Sequence, residues 1–222
     1  MTRRIAIYGG SFDPFHLGHL VPTVRAQETF HFEAVYFAPA GSPPHKSSAP
    51  LTAVTHRLAM VAMATLPYDN FFTSDDEVFA PQPTYSVETV RRFQDRFPDA
   101  TLYFILGSDS FSQIATWEKW EDLVDTVHLV VLHRAHMWGE ELEGRLPKRL
   151  LPRLQLVEPF ERVDDPEDLT VYLLNHEPFP ISGTSIRTRQ RRGLPIRELV
   201  PHEVHSYIEK YGLYGPDESA EG

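Results

Sequence analysis

Short apolar runs recur along the chain at Ile5 to Tyr8, Ala34 to Ala38, Leu102 to Leu106 and Val127 to Leu132. Each has the length of a strand buried on both faces, where the chain reads as a continuous hydrophobic run. Between them the spacing becomes helical. Leu20, Val21, Val24 and Ala26 lead to Phe30 at mostly helical intervals, and His56 to Leu66 is rich in Leu, Met and Ala. Ser86 to Phe97 sets Val87, Val90 and Phe93 on one stripe. Glu140 to Leu151 reads as a further helix, highly charged and solvated, and a terminal helix carries His202 and His205 on the surface. Strands alternating with helices predict an α/β fold with a parallel sheet.

The punctuation between these elements is proline. PAGSPPHKSSAP (Pro39 to Pro50) and APQPT (Ala80 to Thr84) cannot continue a helix, and both are placed to rim a ligand crevice. Glu161 to Asp168 reads as an acidic loop. Residues 1–214 are expected to form one domain, with 215–222, GPDESAEG, a disordered tail. The 31 Asp and Glu against 21 Lys and Arg give a formal charge of −10, the wrong sign for sequence-independent binding to nucleic acid. With no cysteine there is neither a disulfide, a thiolate metal site nor a cysteine nucleophile. MTRRIAIYGG has too short an apolar run for a signal peptide or membrane span, so the cytoplasm is the default compartment.

The densest chemistry lies in GGSFDPFHLGH, Gly9 to His19. Gly9 and Gly10 directly after a strand permit a sharp turn and close approach of main-chain N–H groups to a ligand, and the following helix adds its positive end. Two glycines alone occur wherever a strand meets a helix tightly. His16 and His19, three apart at a helix start, can face one anion. A packing or capping pair is the alternative. An H-x-x-H metal site is less well supported, because zinc needs further ligands and this segment supplies no Cys or obvious Glu. A Walker A loop is excluded by the missing Gly-Lys-Ser/Thr ending.

GGSFDPFHLGH resembles the signature of the H-x-G-H nucleotidyltransferases, and its fuller spelling resembles the bacterial nicotinate-mononucleotide adenylyltransferases. The motif alone does not separate these from pantetheine-phosphate adenylyltransferases, cytidylyltransferases or class I aminoacyl-tRNA synthetases. Further blocks are similar to that family in order: PPHK (Pro43 to Lys46), HRLAMVAMA (His56 to Ala64), PTYSVETV (Pro83 to Val90), LGSDSFSQIATWEKWEDL (Leu106 to Leu123), ISGTSIR (Ile181 to Arg187) and LVPHEVHSYIEKYGLY (Leu199 to Tyr214). The resemblance implies a doubly wound, Rossmann-like nucleotidyltransferase fold with its crevice at the carboxyl ends of the strands. It also implies adenylyl transfer from ATP to nicotinate mononucleotide, giving deamido-NAD and pyrophosphate. Mg²⁺ would be bound through substrate phosphates and not by a protein cage.

Residue by residue, the resemblance assigns charge stabilisation to His16, His19, Lys46 and Arg187. ATP would meet Gly9, Gly10, Ser11, Phe12, Gly107, Asp109, Ser182, Thr184 and Ser185, with Asp109 accepting from ribose hydroxyls. Nicotinate mononucleotide would meet Ser11, Phe12, His45, Lys46, Thr84, Tyr85 and Trp117, the indole stacking on the pyridine ring and the main-chain amides of Thr84 and Tyr85 meeting its carboxylate. Trp120 is left structural. Arg134, beside His133 and His136, is a candidate nucleotide contact. Gly183 stands where the commonest family spelling has serine. The PTYSVETV and Trp117 blocks argue against a pantetheine phosphate acceptor, and the short acidic chain against a tRNA synthetase. A nucleotide-binding regulator without turnover is a rival of another class, and homo-oligomerisation is left open.

Overall fold

A computed structural model describes residues 3–41, 51–79, 84–134, 137–164 and 167–215. In chain order the elements are β1 (Arg3–Gly10), α1 (Leu17–Phe30), β2 (Ala34–Pro39), α2 (Val54–Thr65), β3 (Phe71–Thr73), α3 (Ser86–Arg96), β4 (Ala100–Gly107), α4 (Ser108–Phe111), α5 (Trp120–Val124), β5 (His128–Leu132), α6 (Glu140–Glu143), β6 (Leu154–Val157), β7 (Val171–Leu174), α7 (Gly183–Arg191) and α8 (His202–Lys210). The strands make one all-parallel sheet in the order β3-β2-β1-β4-β5-β7-β6.

Alternation along β1 divides the core. Ala6 and Tyr8 point to a layer with Phe30 of α1, Met60 and Val61 of α2 and Val204 and Ile208 of α8. Ile5 and Ile7 point to the opposite layer with Val87, Val90 and Phe93 of α3 and Leu123 of α5. Burial on both faces is why β1, β4 and β5 read as unbroken apolar runs. The chain leaves β1 toward β2 on one side and later crosses to β4 on the other. The switch point therefore lies between the ends of β1 and β4, where an open α/β sheet presents its ligand crevice.

The expected helix over Glu140–Leu151 does not form as such. Helical geometry stops after Glu143, and Lys148–Arg153 is a 3₁₀ turn that starts behind Pro147 and contains Pro152. Proline removes the amide that a continuous helix would need. The strands β3, β6 and β7 come from runs too short, or too exposed at Leu156 and Phe72, to stand out in the pattern. The loop at Pro39 to Pro50, the loop at Ala80 to Thr84 and the carboxyl-terminal tail fall mostly outside the described residues.

At the opposite end of the sheet His128 is buried at the start of β5, where its Nδ1 accepts from the Thr170 amide at 3.1 Å. Burial, together with the nearby Arg153 and Arg4 charges, pushes its pKa down to about 4. The unfolded chain then binds the proton more readily than the folded one. The stability this residue contributes is present above the ordinary histidine pKa of about 6.5 and is lost as pH falls toward 4. His128→Gln, whose amide oxygen can still accept from Thr170, is expected to lose less melting temperature than the parent between pH 7 and pH 5. Differential scanning fluorimetry checks this, and equal losses would contradict it.

Candidate active site

β1 ends in Gly9 and Gly10, and the chain turns through Ser11 and Phe12 into α1, whose N-cap is His16. Phe12 adopts a positive φ of 47° and turns its ring inward. The ring is fully buried among Tyr8, Phe15, Phe37 and His19, so Phe12 offers a ligand only its main chain. The ring anchors the turn to the core, and the histidines are set on that anchor.

His16 and His19 stack with ring centroids 3.7 Å apart, and the His16 amide donates to His19 Nδ1 at 3.3 Å. That bond fixes the neutral His19 tautomer: Nδ1 is the acceptor, so Nε2 carries the proton and is the donor. His16 is buried, and burial followed by the charge of Arg134 holds its pKa well below the ordinary histidine value. It is neutral at physiological pH, and its Nδ1 has no hydrogen-bond partner among the described residues. The capping role, one of the alternatives in the sequence, is present, and both histidines also line a cavity.

Gly18 between the histidines has a steric role. A Cβ there would stand 3.0 Å from His16 Nδ1 and 3.3 Å from the Ile181 carbonyl oxygen. Helix propensity favours alanine over glycine, yet Gly18→Ala is expected to displace the His16 ring. With His16 serving the reacting phosphates, as the resemblance implies, a shift of a few tenths of an ångström is expected to lower kcat by up to about tenfold, less than the ~10²-fold of a 1 Å misplacement. Steady-state kinetics with full activity in Gly18→Ala would contradict the steric argument.

A second helix start faces the first. At α7, Ser182 and Ser185 form a reciprocal cap: Ser182 Oγ accepts from the Ser185 amide at 3.1 Å, and Ser185 Oγ accepts from the Ser182 amide at 3.3 Å. The Ser185 hydroxyl also donates to the Ser182 carbonyl at 2.8 Å, so this side chain is committed to the cap. Arg187 donates to the Asp13 carbonyl and, at 3.2 Å, to Thr184 Oγ1. Gly183 sits against the same Asp13 carbonyl: a Cβ would lie 2.6 Å from that oxygen. The glycine therefore lets α7 dock directly on the motif loop, which a serine could not do without a main-chain shift.

Two cavities meet over this surface. The more polar one is lined by Gly9, Gly10, Ser11, His16, His19, Gly107, Asp109, Arg134, Ser182, Thr184 and Arg187, among others. The other is walled by Thr84, Tyr85, Phe104, Trp117 and Glu77, with Gly9, Gly10, Ser11, Asp109 and Ser110 common to both. Trp117 stands edge-on to Phe104, with centroids 6.4 Å apart, while Trp120 lies away from the cavities beneath Arg149. The Tyr85 amide is already taken by Glu88 Oε2 at 3.3 Å, the capping box of α3, so Tyr85 meets a ligand through its ring more readily than through its amide. His45 and Lys46 lie outside the described residues, as does His136. His133 does not line either cavity and stacks on Trp138.

Residues from distant parts of the chain also shape the site, and for Arg57 and Tyr214 no local sequence signal shows it. Arg57, 1% exposed, donates to four carbonyls: Ser11 at 2.7 Å, Ala40 at 2.6 Å, Gly41 at 3.2 Å and Thr52 at 3.0 Å. It ties α2 to the turn after β1 and to the end of β2. Asp13, buried beside the histidines, accepts from the Tyr214 hydroxyl at 2.6 Å, linking the carboxyl-terminal segment to the motif loop. Arg134, weighed as a nucleotide contact, lines the polar cavity and reaches Tyr8 Oη at 3.4 Å. No group of three or more His, Asp or Glu able to hold a metal occurs among the described residues, and no described helix is long and apolar enough to cross a membrane.

The chain matches known proteins over nearly its whole length. The cytidylyltransferase-like family model covers residues 7–189. A curated relative from Desulfitobacterium hafniense (strain Y51), named "probable nicotinate-nucleotide adenylyltransferase", is 38% identical over 213 residues, covering 96% of both chains. One of the same name from Desulfatibacillum aliphaticivorans is 37% identical over 221 residues, covering 95% of this chain and 99% of its own. Among solved structures, Plasmodium falciparum nicotinic acid mononucleotide adenylyltransferase complexed with NaAD superposes with a TM-score of 0.73 at 22% identity, over 96% of this chain and 97% of that one. That likeness establishes the fold, and the curated relatives narrow the family. The chain belongs to the nicotinate-nucleotide adenylyltransferases, within the cytidylyltransferase-like family.

Proposed function

We propose that the chain, acting as one domain, transfers the adenylyl group of ATP to nicotinate mononucleotide, giving deamido-NAD and pyrophosphate. The observation that carries this reading is the pair of cavities joined at Gly9–Ser11 and Asp109–Ser110: a histidine- and arginine-lined one suited to phosphates, and an aromatic-walled one suited to a pyridine ring. The names of the relatives support the choice of substrates, and ATP as co-substrate fits a cytoplasmic enzyme.

In the reaction an oxygen of the mononucleotide phosphate attacks the α-phosphorus. The new P–O bond forms as the bond to the pyrophosphate oxygen breaks on the opposite side. No protein nucleophile is needed, and the chain's contribution is placement and charge stabilisation. The His19 Nε2–H donates to the oxygens that gain charge, with His16 beside it. The amino ends of α1 and α7 and the Arg187 guanidinium favour the polyphosphate. Lys46 would add a positive charge toward the phosphates, and His45 a further contact, as the resemblance implies. Asp109 accepts from ribose hydroxyls, and Trp117 and Tyr85 flank the ring.

A divalent cation, taken as Mg²⁺, neutralises phosphate charge when bound. Of the two carboxylates that line the polar cavity, Asp13 is engaged by the Tyr214 hydroxyl and, at 3.7 Å, by the Arg187 guanidinium, and Asp109 would serve the ribose, so the cation would be held through the substrate phosphates. With ATP chirally thio-labelled at the α-phosphorus, the expected result is inversion of configuration in the dinucleotide. Retention would point to two displacements and a covalent intermediate, contrary to this mechanism.

A further inference from the structure

Glu77 is a carboxyl group in the wall of the aromatic cavity that the adenylyl-transfer mechanism does not use. It lies in the turn after β3, and its side chain reaches across to α3, where the buried Thr89 hydroxyl donates to Oε1 at 2.6 Å. Its second oxygen has no hydrogen-bond partner, and no cation forms an ion pair with it, among the described residues. The charged groups around it are otherwise occupied. On α3, Arg92 donates to the Asp76 carbonyl at 3.2 Å and Glu88 caps the Tyr85 amide. On α2, Arg57 is held by its four carbonyls. Asp76, on the same turn as Glu77, binds the Ser74 hydroxyl, and Asp109 and Glu118 line the cavity elsewhere.

On the adenylyl-transfer reading the pyridine ring lies beside Trp117 and Tyr85, in the cavity whose wall includes Glu77. A carboxylate substituent there meets Glu77 differently from a carboxamide. We propose that Glu77 is a specificity-determining residue whose protonation sets the preference between carboxylate- and amide-bearing pyridine mononucleotides. The inference rests on the adenylyl-transfer reading of the site.

When Glu77 is neutral, its O–H donates to a substrate carboxylate. When it is ionised, it repels that carboxylate and accepts from an amide N–H. Burial, only partly offset by the Thr89 hydrogen bond and the Arg92 charge, pushes its pKa up to about 7, so the change falls within the range of ordinary assays.

The test is calorimetric titration of the full chain with nicotinate mononucleotide and with nicotinamide mononucleotide from pH 6 to pH 8. The phosphate common to the two ligands cancels in the ratio of affinities. That ratio is expected to shift about tenfold toward the amide as pH rises. Glu77→Gln flattens it without changing the KM for ATP. Thr89→Val, which removes the donor to the carboxylate, moves the change to higher pH. A pH-independent ratio in the parent, or an unaltered slope in Glu77→Gln, overturns the inference. Turnover of nicotinate mononucleotide with a flat ratio leaves the adenylyl-transfer reading standing and removes only the role of Glu77. Failure of both mononucleotides to bind or turn over removes both.

Discussion

Replacing His19 with alanine is expected to lower kcat by about 10²–10³, the usual cost of one donor aimed at charge that develops in the transition state. The KM values should change far less, because the ground-state contacts of both substrates are spread over two cavities. The substitution also has a structural cost. His19 Nδ1 accepts from the His16 amide, and its ring packs on Tyr8, Phe12 and Phe15. Losing the cap alone costs ~1 kcal/mol, and for a chain of this size each kcal/mol lowers Tm by about 2–4 °C. A fall of several degrees is therefore compatible with the catalytic role. The deciding number is kcat at 25 °C. A variant with parental kcat and a lowered Tm would make His19 a cap and nothing more.

The largest effect on stability is expected at Arg57. Its guanidinium is fully buried and satisfied by neutral carbonyls, an arrangement in which one planar fork serves four acceptors from three separate segments. Burial lowers its pKa, with Asp13 first among the groups that oppose the shift. Arg57→Met keeps much of the apolar stem and leaves the four oxygens without their donor. Leaving buried polar groups unpaired in this way costs about 3–5 kcal/mol. Arg57→Lys is expected to recover only a small part, since an ammonium is a point charge that cannot span the same acceptors. Urea denaturation measures both. Because Ser11 is one of the acceptors, the turn that carries the glycines should loosen as well, with KM for ATP rising in whatever fraction remains folded. A Met variant within 1 kcal/mol of the parent would show that the four carbonyls find water instead.

The sequence made the centre of this molecule readable and its margins less so. The strands β1, β2, β4 and β5 are covered by helices on both faces, and that burial writes itself into the chain as unbroken apolar runs. The edge strand β3 is three residues long, and β6 at the other edge exposes Leu156. Neither must be apolar throughout, so neither was distinguishable from loop. The charged stretch from Glu140 has helical composition, but Pro147 and Pro152 divide it, and the main-chain constraint prevails over the composition.

The same division holds for the site. GGSFDPFHLGH is a local motif, and it placed Gly9, Gly10, Ser11, His16 and His19 at one cavity. What braces that motif arrives from far away in sequence. Tyr214 reaches Asp13 across 201 positions, and Arg187 reaches it across 174. Arg57 sat within a recognised block, yet nothing in HRLAMVAMA says that its arginine points inward. Phe12 shows the converse case: a residue of the motif whose ring proved to be core. Gly183, where the commonest family spelling has serine, is a point of close approach at which α7 rests on the Asp13 carbonyl.

On the proposed reading the two joined cavities bring ATP and nicotinate mononucleotide together for adenylyl transfer. The most direct measurement is pyrophosphate release by the purified chain with Mg²⁺-ATP, with and without nicotinate mononucleotide, alongside chromatographic detection of the dinucleotide. Release strictly dependent on the mononucleotide, in one-to-one ratio with deamido-NAD, is the predicted result. Binding of ATP with no pyrophosphate from either nicotinate or nicotinamide mononucleotide would contradict it.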